Sequence, residues 1–280
     1  MSRGALVVVA TPIGNLGDLS HRAVEALAGV DVIACEDTRH TRKLLSHAGV
    51  TGADLLAVHD RNEAAQVRHV LGLVEHGRRV AVVTDAGTPG IADPGQRLVA
   101  AVAAAGLPVE VVPGPSALIA ALVASGLPTH RFCFEGFLAR KGSERSARLR
   151  AVAAARVTTI LYEAPHRMRR TVADLAEVCG PWRRVVVARE LTKLHEEVWR
   201  GTLEGAAEHL GRTEPRGEYV IVLDGAPPPP PPTENDIRRD VQQHLDAGAD
   251  RRAAVAAVAA HLDVPRRRVY GIAVGMRASS

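Results

Sequence analysis

Residues 79–95 read RVAVVTDAGTPGIADPG. The β-branched run Arg79 to Thr84 leads into a loop that carries Gly87, Pro89, Gly90, Pro94 and Gly95. An apolar run without alternation is the pattern of a strand buried on both faces, the condition of a parallel sheet covered by helices. Glycines and prolines together stiffen the loop and let its backbone approach a ligand, so it is expected to bind rather than merely turn.

Outward from that stretch, Leu6–Ala10 and Val30–Ala34 repeat the pattern of a short apolar run followed by Gly or Asp and then a helical period. Helices are expected at His21–Ala28 and Glu63–Glu75. A further strand, Val109–Val112, ends at Pro113-Gly114-Pro115, beyond which Ser116 can cap a helix over Ala117–Ser125. Strands at Arg131–Glu135, Thr158–Tyr162, Arg184–Arg189 and Tyr219–Leu223 predict the sheet of a second lobe.

Pro227–Pro232 is a run of six prolines, which predicts a stiff polyproline II spacer and a domain boundary. After it, Thr233 and Asp236 form a capping-box start for a helix to Leu245, and Asp250 caps a second helix to His261. Pro265 opens a third that carries Arg266, Arg267, Arg268 and Tyr270. The expected division is 1–115 and 116–225 for two α/β lobes, 226–233 for the linker, and 234–280 for a small all-α unit. That unit reads either as a helix-turn-helix-like module or as a tail packed on the body or on another subunit.

A chain of 280 residues with 46% hydrophobic content can build two cores, which excludes disorder. Aromatic residues are 3% of it, so the core is aliphatic, and all three phenylalanines fall at Phe132, Phe134 and Phe137, on a core face or a site wall. Cys35, Cys133 and Cys179 form no CxxC pair, which excludes a disulfide framework and fits a reducing cytosol. The longest apolar stretch, Leu98–Leu127, is broken by Gly106, Pro108, Glu110, Pro113 and Pro115, and the N-terminal run is too short for a signal core. A cytoplasmic protein without membrane or targeting segment is expected.

Net charge is +4, unevenly spread: Arg131–Arg156 holds seven Arg or Lys against two Glu, which suits a polyanion. The twelve histidines show no HxxxH or HExxH spacing, so no metal is expected. Lys43, Lys141 and Lys193 are the lysines among 35 basic residues, and each adjoins a motif, as suits a point charge or proton transfer.

The first loop, Thr11 to Asp18, lacks the first glycine of GxGxxG, so a dinucleotide fold is poorly supported. Six blocks nevertheless occur in order: VVATPIGNLGDLS (8–20), EDTRHTRKLL (36–45), DAGTPGIADPG (85–95), VPGPSA (112–117), YEAPHR (162–167) and ARELTKLHEE (188–197). This set resembles the tetrapyrrole-methylase superfamily and, within it, the ribosomal RNA small subunit methyltransferase I family of 2'-O-ribose methyltransferases. The resemblance spans residues 5–224, and the three-helix tail is similar as well.

It implies an α/β, two-lobed tetrapyrrole-methylase-like fold with a cofactor cleft between the lobes and a C-terminal helix-turn-helix-like unit. S-adenosylmethionine would lie in the cleft against Pro12 and Ile13, against Asp85, Gly87, Thr88 and Ile91, and against Pro113, Ser116 and Ala117. Tyr162, Glu163, Ala164, Leu191 and Thr192 would close it from the second lobe. Thr88 stands where the wider superfamily has Asp, and Asp85 would take over that electrostatic role. The implied substrate is a cytidine ribose of 16S rRNA in the decoding region of the small ribosomal subunit, and the implied assembly a homodimer.

A ribose 2'-hydroxyl is a weak acid and needs a base or a nearby cation. The candidates are Glu36, Asp37, His166 and Lys193, which spacing does not separate. Phosphate contacts are expected from Arg39, Arg42, Arg140, Lys141, Arg145 and Arg167. Two other readings stay open: a methylase of corrin or porphyrin precursors on the same scaffold, and a DNA-binding regulator that uses the helical tail.

Overall fold

In the computed structural model, which describes residues 4–212, 214–228 and 231–276, the chain divides into two compact units. One ends at Ala226 and the other begins at Pro227. The first unit contains two five-stranded sheets.

The first sheet comprises β1 (Ala5–Val9), β2 (Val32–Cys35), β3 (Asp54–Ala57), β4 (Arg79–Val83) and β5 (Val109–Val112), in the order β3-β2-β4-β1-β5. All four pairings are parallel. Helices α1 (His21–Ala28), α2 (Thr38–Ala48), α3 (Glu63–Glu75) and α4 (Gln96–Ala104) supply the crossovers. The two-residue period of a strand decides what packs where. Val7, Val9, Ile33, Ala81 and Val83 face Ala23 and Leu27 of α1 and Leu45 of α2. Leu6, Val32, Val80 and Val82 face Val70 and Val74 of α3 and Leu98 and Val102 of α4. Both sides being covered, the strands must be apolar throughout, which is why the sequence shows runs here and not alternation.

β1 lies between β4 and β5. The loops after these three strands therefore leave the same carboxyl edge side by side, at the place where connections diverge and open α/β sheets form a crevice. The loop after β4 is held there by Glu63, the first residue of α3. Its buried Oε1 accepts from Gly95 N at 2.9 Å and Arg97 N at 3.0 Å, capping α4, whose own N-cap glycine has no side chain. Glu63→Ala leaves these buried N–H groups unpaired, and is expected to lower stability by about 1–3 kcal/mol in urea denaturation. An unchanged midpoint would show that the cap is idle.

The second sheet comprises β6 (Phe132–Phe137), β7 (Thr158–Glu163), β8 (Arg184–Arg189), β9 (Glu197–Thr202) and β10 (Tyr219–Leu223), in the order β6-β7-β10-β8-β9. β6–β7 is parallel and the other pairings are antiparallel. Helices α6 (Gly142–Ala154), α7 (Met168–Cys179) and α8 (Leu203–Gly211) cover one face through Leu149, Met168, Val172, Leu175, Leu203 and Leu210. The other face receives α5 (Ala117–Ser125), apolar over most of its surface, together with Ile13 from the loop after β1. Ile13 thus belongs to the core of the second sheet and pins the two lobes to each other.

Two strands escape the sequence reading. β3 (DLLA) is short and half-exposed, and β9 (EVWRGT) pairs only with β8, so neither shows a buried run. The second strand begins at Val32, not Val30, because Asp31 occupies a turn, its carboxylate accepting from Arg79 N at 2.8 Å.

The second unit is a three-helix assembly, α9 (Glu234–Asp246), α10 (Arg251–His261) and α11 (Arg266–Val274), around Ile237, Val241, Val255, Val258 and Val269. The capping box at Thr233 and Asp236 is formed, and Asp250 accepts from Ala253 N at 2.7 Å. Pro229 and Pro230 of the proline run, and residues 277–280, lie outside the described residues. No described helix is long and apolar enough to cross a membrane.

Candidate active site

The carboxyl edge of the first sheet faces the second lobe across a cavity of about 400 Å³. On the first-lobe side it is lined by Ile13, Glu36, Asp85, Gly87, Thr88, Ile91 and Asp93, and at the junction by Ser116 and Ala117. Phe137, Tyr162, Glu163, Ala164, Leu191 and Glu218 complete it from the second lobe.

The β4 loop is set by left-handed backbone at Gly87 (φ 79°) and Gly90 (φ 81°). Gly87 exchanges backbone hydrogen bonds with Thr11 at 2.8 and 3.1 Å, joining the loops of β1 and β4. The Thr88 hydroxyl donates to Pro115 O at 3.4 Å, joining the β4 loop to the turn after β5. Three loops are therefore fastened into one wall.

The opposite wall is aromatic. Tyr162 meets Phe134 and Phe137 edge-on at centroid distances of 4.9 and 5.7 Å, and its hydroxyl accepts from Leu118 N at 3.0 Å, capping α5 where Ser116 forms no side-chain cap. Burial pushes the Tyr162 phenol up to about 12, so it stays protonated. The phenylalanine cluster serves both purposes: Phe134 packs in the core and Phe137 lines the cavity.

Leu191 enters between two residues in left-handed backbone, Glu190 (φ 49°) and Thr192 (φ 66°). Such conformations are costly for non-glycine residues and persist where surroundings impose them. Here Lys193 Nζ binds Glu190 at 2.9 Å and Glu218 at 2.8 Å, while Glu190 also accepts from Glu218 N at 2.9 Å. Gly14 leaves room opposite: a Cβ there would run into the Lys193 side chain.

The electrostatics of the cavity are one-sided. Glu36, Asp85, Asp93, Glu163 and Glu218 line it, and no Lys, Arg or His does among the described residues. Burial, then the neighbouring carboxylates beginning with Glu36, pushes Asp93 up to about 7. Burial and then Asp85 raise Glu36 as well.

Of the four residues weighed for proton transfer, Glu36 lines the cavity. Asp37 instead caps α2 and pairs with Arg39 at 3.0 Å, which holds its carboxyl at about 2, too acidic for a base. His166 is exposed on the turn after β7 and outside the lining. Lys193 is also outside the lining, and although burial pulls its ammonium down, Glu218 and Glu190 outweigh that and keep it protonated. Asp93 and Glu218 were not singled out from sequence. Asp93 was legible as the second Asp of the rigid loop, whereas Glu218 arrives only through the placement of β10.

Three residues expected at the cofactor are not in the lining: Pro12 is buried, Pro113 is exposed, and Thr192 has a buried hydroxyl without a hydrogen-bond partner among the described residues. Glu163 lines the cavity but its carboxylate is engaged by Ala164 N, Arg167 and the Thr171 hydroxyl. The phosphate candidates divide likewise. Arg145 is withdrawn from the set: its side chain is 4% exposed and bound to Asp174, Thr171 and Ala139 O, because it buttresses α6 against α7. Arg167 spans Glu163 and Leu138 O and is mostly buried. Arg39 is exposed but paired with Asp37, while Arg42, Arg140 and Lys141 stand exposed.

The family model for Tetrapyrrole (Corrin/Porphyrin) Methylases matches residues 5–207. The chain is 46% identical to the ribosomal RNA small subunit methyltransferase I of Synechocystis sp., over 98% of this chain and 99% of that one. It is 45% identical to the protein of the same name from Xylella fastidiosa, over 96% and 98%. Among solved structures it is similar to the methyltransferase CobJ, with 25% identity, a TM-score of 0.61, and coverage of 80% of this chain and 95% of that one.

Proposed function

The chain belongs to the ribosomal RNA small subunit methyltransferase I family within the tetrapyrrole methylases, and we propose that it transfers a methyl group from S-adenosylmethionine to the 2'-hydroxyl of a cytidine ribose in 16S rRNA of the small ribosomal subunit. The observation that carries this reading is the acidic cavity between the lobes, which no Lys, Arg or His lines among the described residues. When bound, the cofactor supplies a methyl group on a positively charged sulfur, open to in-line displacement. The carboxylates of Glu36, Asp85 and Asp93 and a stiff backbone wall suit that charge, and Phe137, Tyr162, Ile13 and Leu191 supply the apolar remainder. A polycarboxylate tetrapyrrole finds no matching cation in the same lining.

Thr88, Ser116, Ala117 and Leu191 are the residues we place against the donor, with Ile91 and the backbone of Tyr162 to Ala164 closing around it. The chain's task is then alignment, exclusion of water and removal of one proton. Asp93, with Glu36 beside it electrostatically, is the acceptor we assign to the ribose proton, since a base works best when its pKa lies near the working pH. Arg42, Arg140 and Lys141 are the cations left for RNA phosphates around the body.

A homodimer fits the exposed apolar residues Val111, Ile119 and Val123 on β5 and α5. The reading places the protein in the cytoplasm, with its substrate. It also divides the chain into lobes 1–115 and 116–225, a linker 226–233 and the helical unit 234–280.

Incubation with radiolabelled S-adenosylmethionine and undermethylated small subunits, followed by nucleoside digestion, tests the proposal. Label is expected on one ribose of 16S rRNA. Label on a base, or none on RNA, would overturn it.

A further inference from the structure

A second groove lies away from the active-site residues. It lies in the C-terminal unit, has a volume of about 810 Å³, and is lined by Asp250–Ala253, Val255 and Ala256 of the α10 side and by Arg266, Arg267 and Tyr270 of α11. Four arginines, Arg251, Arg252, Arg266 and Arg267, therefore converge on one concave surface, and all four are exposed. None of them has an ion-pair or hydrogen-bond partner among the described residues. Arg268, next in sequence, differs: its guanidinium donates to Pro232 O at 2.9 Å. Tyr270 is 59% exposed at the groove.

This arrangement works against the helices that carry it. Cations in the first turn oppose the positive end of a helix, where acidic residues are favoured. α10 and α11 both begin with consecutive arginines and have no acidic residue in the first turn; α10 is offset by its Asp250 cap, which also lines the groove, whereas α11 has no such carboxylate. α9, in the same unit, follows the favourable rule with Glu234 and Asp236. Pro265 gives α11 no side-chain cap, so its first N–H groups add to the positive field. An anion in the groove would neutralise the guanidiniums and complete the uncapped start of α11 at once. An exposed aromatic ring beside such cations is the equipment of single-stranded nucleic-acid binding, in which bases stack while the backbone is held electrostatically.

We propose that the α10–α11 groove binds single-stranded RNA, with Arg251, Arg252, Arg266 and Arg267 on backbone phosphates and Tyr270 against a base. The choice of RNA rests on the proposed function; the groove itself suits a flexible polyanion with planar bases.

The test uses the full chain and a fluorescein-labelled, mixed-sequence, 20-nucleotide RNA strand, with fluorescence anisotropy measured over a series of KCl concentrations. Arg266→Ala/Arg267→Ala is expected to weaken binding at least tenfold at physiological salt and to flatten the salt slope by about 1.4, the value for two lost phosphate contacts on a single strand. Tyr270→Ala should weaken it about fivefold or more. Arg238→Ala/Arg239→Ala removes the same charge from α9, where both residues are ion-paired, and should change affinity less than twofold. The groove double variant should melt no lower than wild type, because it relieves repulsion at a helix start.

Equal losses in the groove and α9 variants, an unaffected Tyr270→Ala, or tighter binding of duplex DNA than of the RNA strand would overturn the proposal. Methyl transfer to small subunits separates it from the reaction reading. A wild type that holds RNA through the groove yet transfers nothing contradicts only the reaction, and a groove variant that binds RNA normally contradicts only the groove.

Discussion

Thr88→Trp is expected to abolish S-adenosylmethionine binding in isothermal titration calorimetry, with the circular dichroism spectrum of the folded protein retained. The reason is mechanical. Thr88 stands in the wall of a cavity of about 400 Å³ and hydrogen bonds to the turn after β5. Left-handed Gly87 and Gly90 fix the backbone on either side of it. An indole has the cavity as its available space, and the far wall of that cavity is the packed α5-side core of the second sheet. Retained affinity would move the donor away from the β4 loop.

Asp93→Asn is expected to lower the rate of methyl transfer about 10²–10⁴-fold, the range for loss of a positioned base. In wild type kcat/KM should rise as pH increases through about 7, where the Asp93 carboxyl loses its proton, and level off above it. The asparagine variant should lose that step. Donor affinity behaves differently: ionised Asp93 attracts a cation, so binding should strengthen by at most about tenfold between pH 6 and 8, in proportion to the ionised fraction. A large fall in kcat with a small change in donor affinity thus marks proton transfer, and the reverse marks donor binding alone.

Stability carries the opposite sign. With its carboxyl raised from the ordinary 3.8 to about 7, the folded protein binds this proton more tightly than the unfolded chain does. Asp93 therefore favours the folded state most at low pH, and that contribution fades as pH rises from about 4 through 7. The asparagine variant should lack this slope in urea titrations without donor. An unchanged pH step in transfer, or a rate within a few-fold of wild type, would remove Asp93 from the mechanism.

The parts of the molecule that were legible in sequence are those written in local chemistry. Buried parallel strands such as β1 and β4 leave apolar runs, and the Pro-Gly loops at residues 85–95 and 113–115 leave breakers at fixed places. Helix starts at Thr233 and Asp250 use caps that act within three residues. What stayed hidden depends on partners distant in sequence. Arg145 looked like one more cation in a basic stretch until α7 brought Asp174 to it. Lys193 reads as a free ammonium until the strand pairing of β8 and β10 places Glu218 beside Glu190. Asp93 carries no local sign that Glu36, Asp60 and Asp85 surround it electrostatically. The antiparallel character of the second sheet was likewise silent, because short apolar strands look alike in either direction.

The most direct measurement is a crystal structure of this chain grown with S-adenosylhomocysteine. The ligand is predicted between the lobes, with its sulfur near the acidic side formed by Asp85 and Asp93 and with Thr88, Ser116 and Leu191 in contact. A ligand bound on any other surface, or an inter-lobe cavity that remains filled by side chains at saturating ligand, would contradict the account.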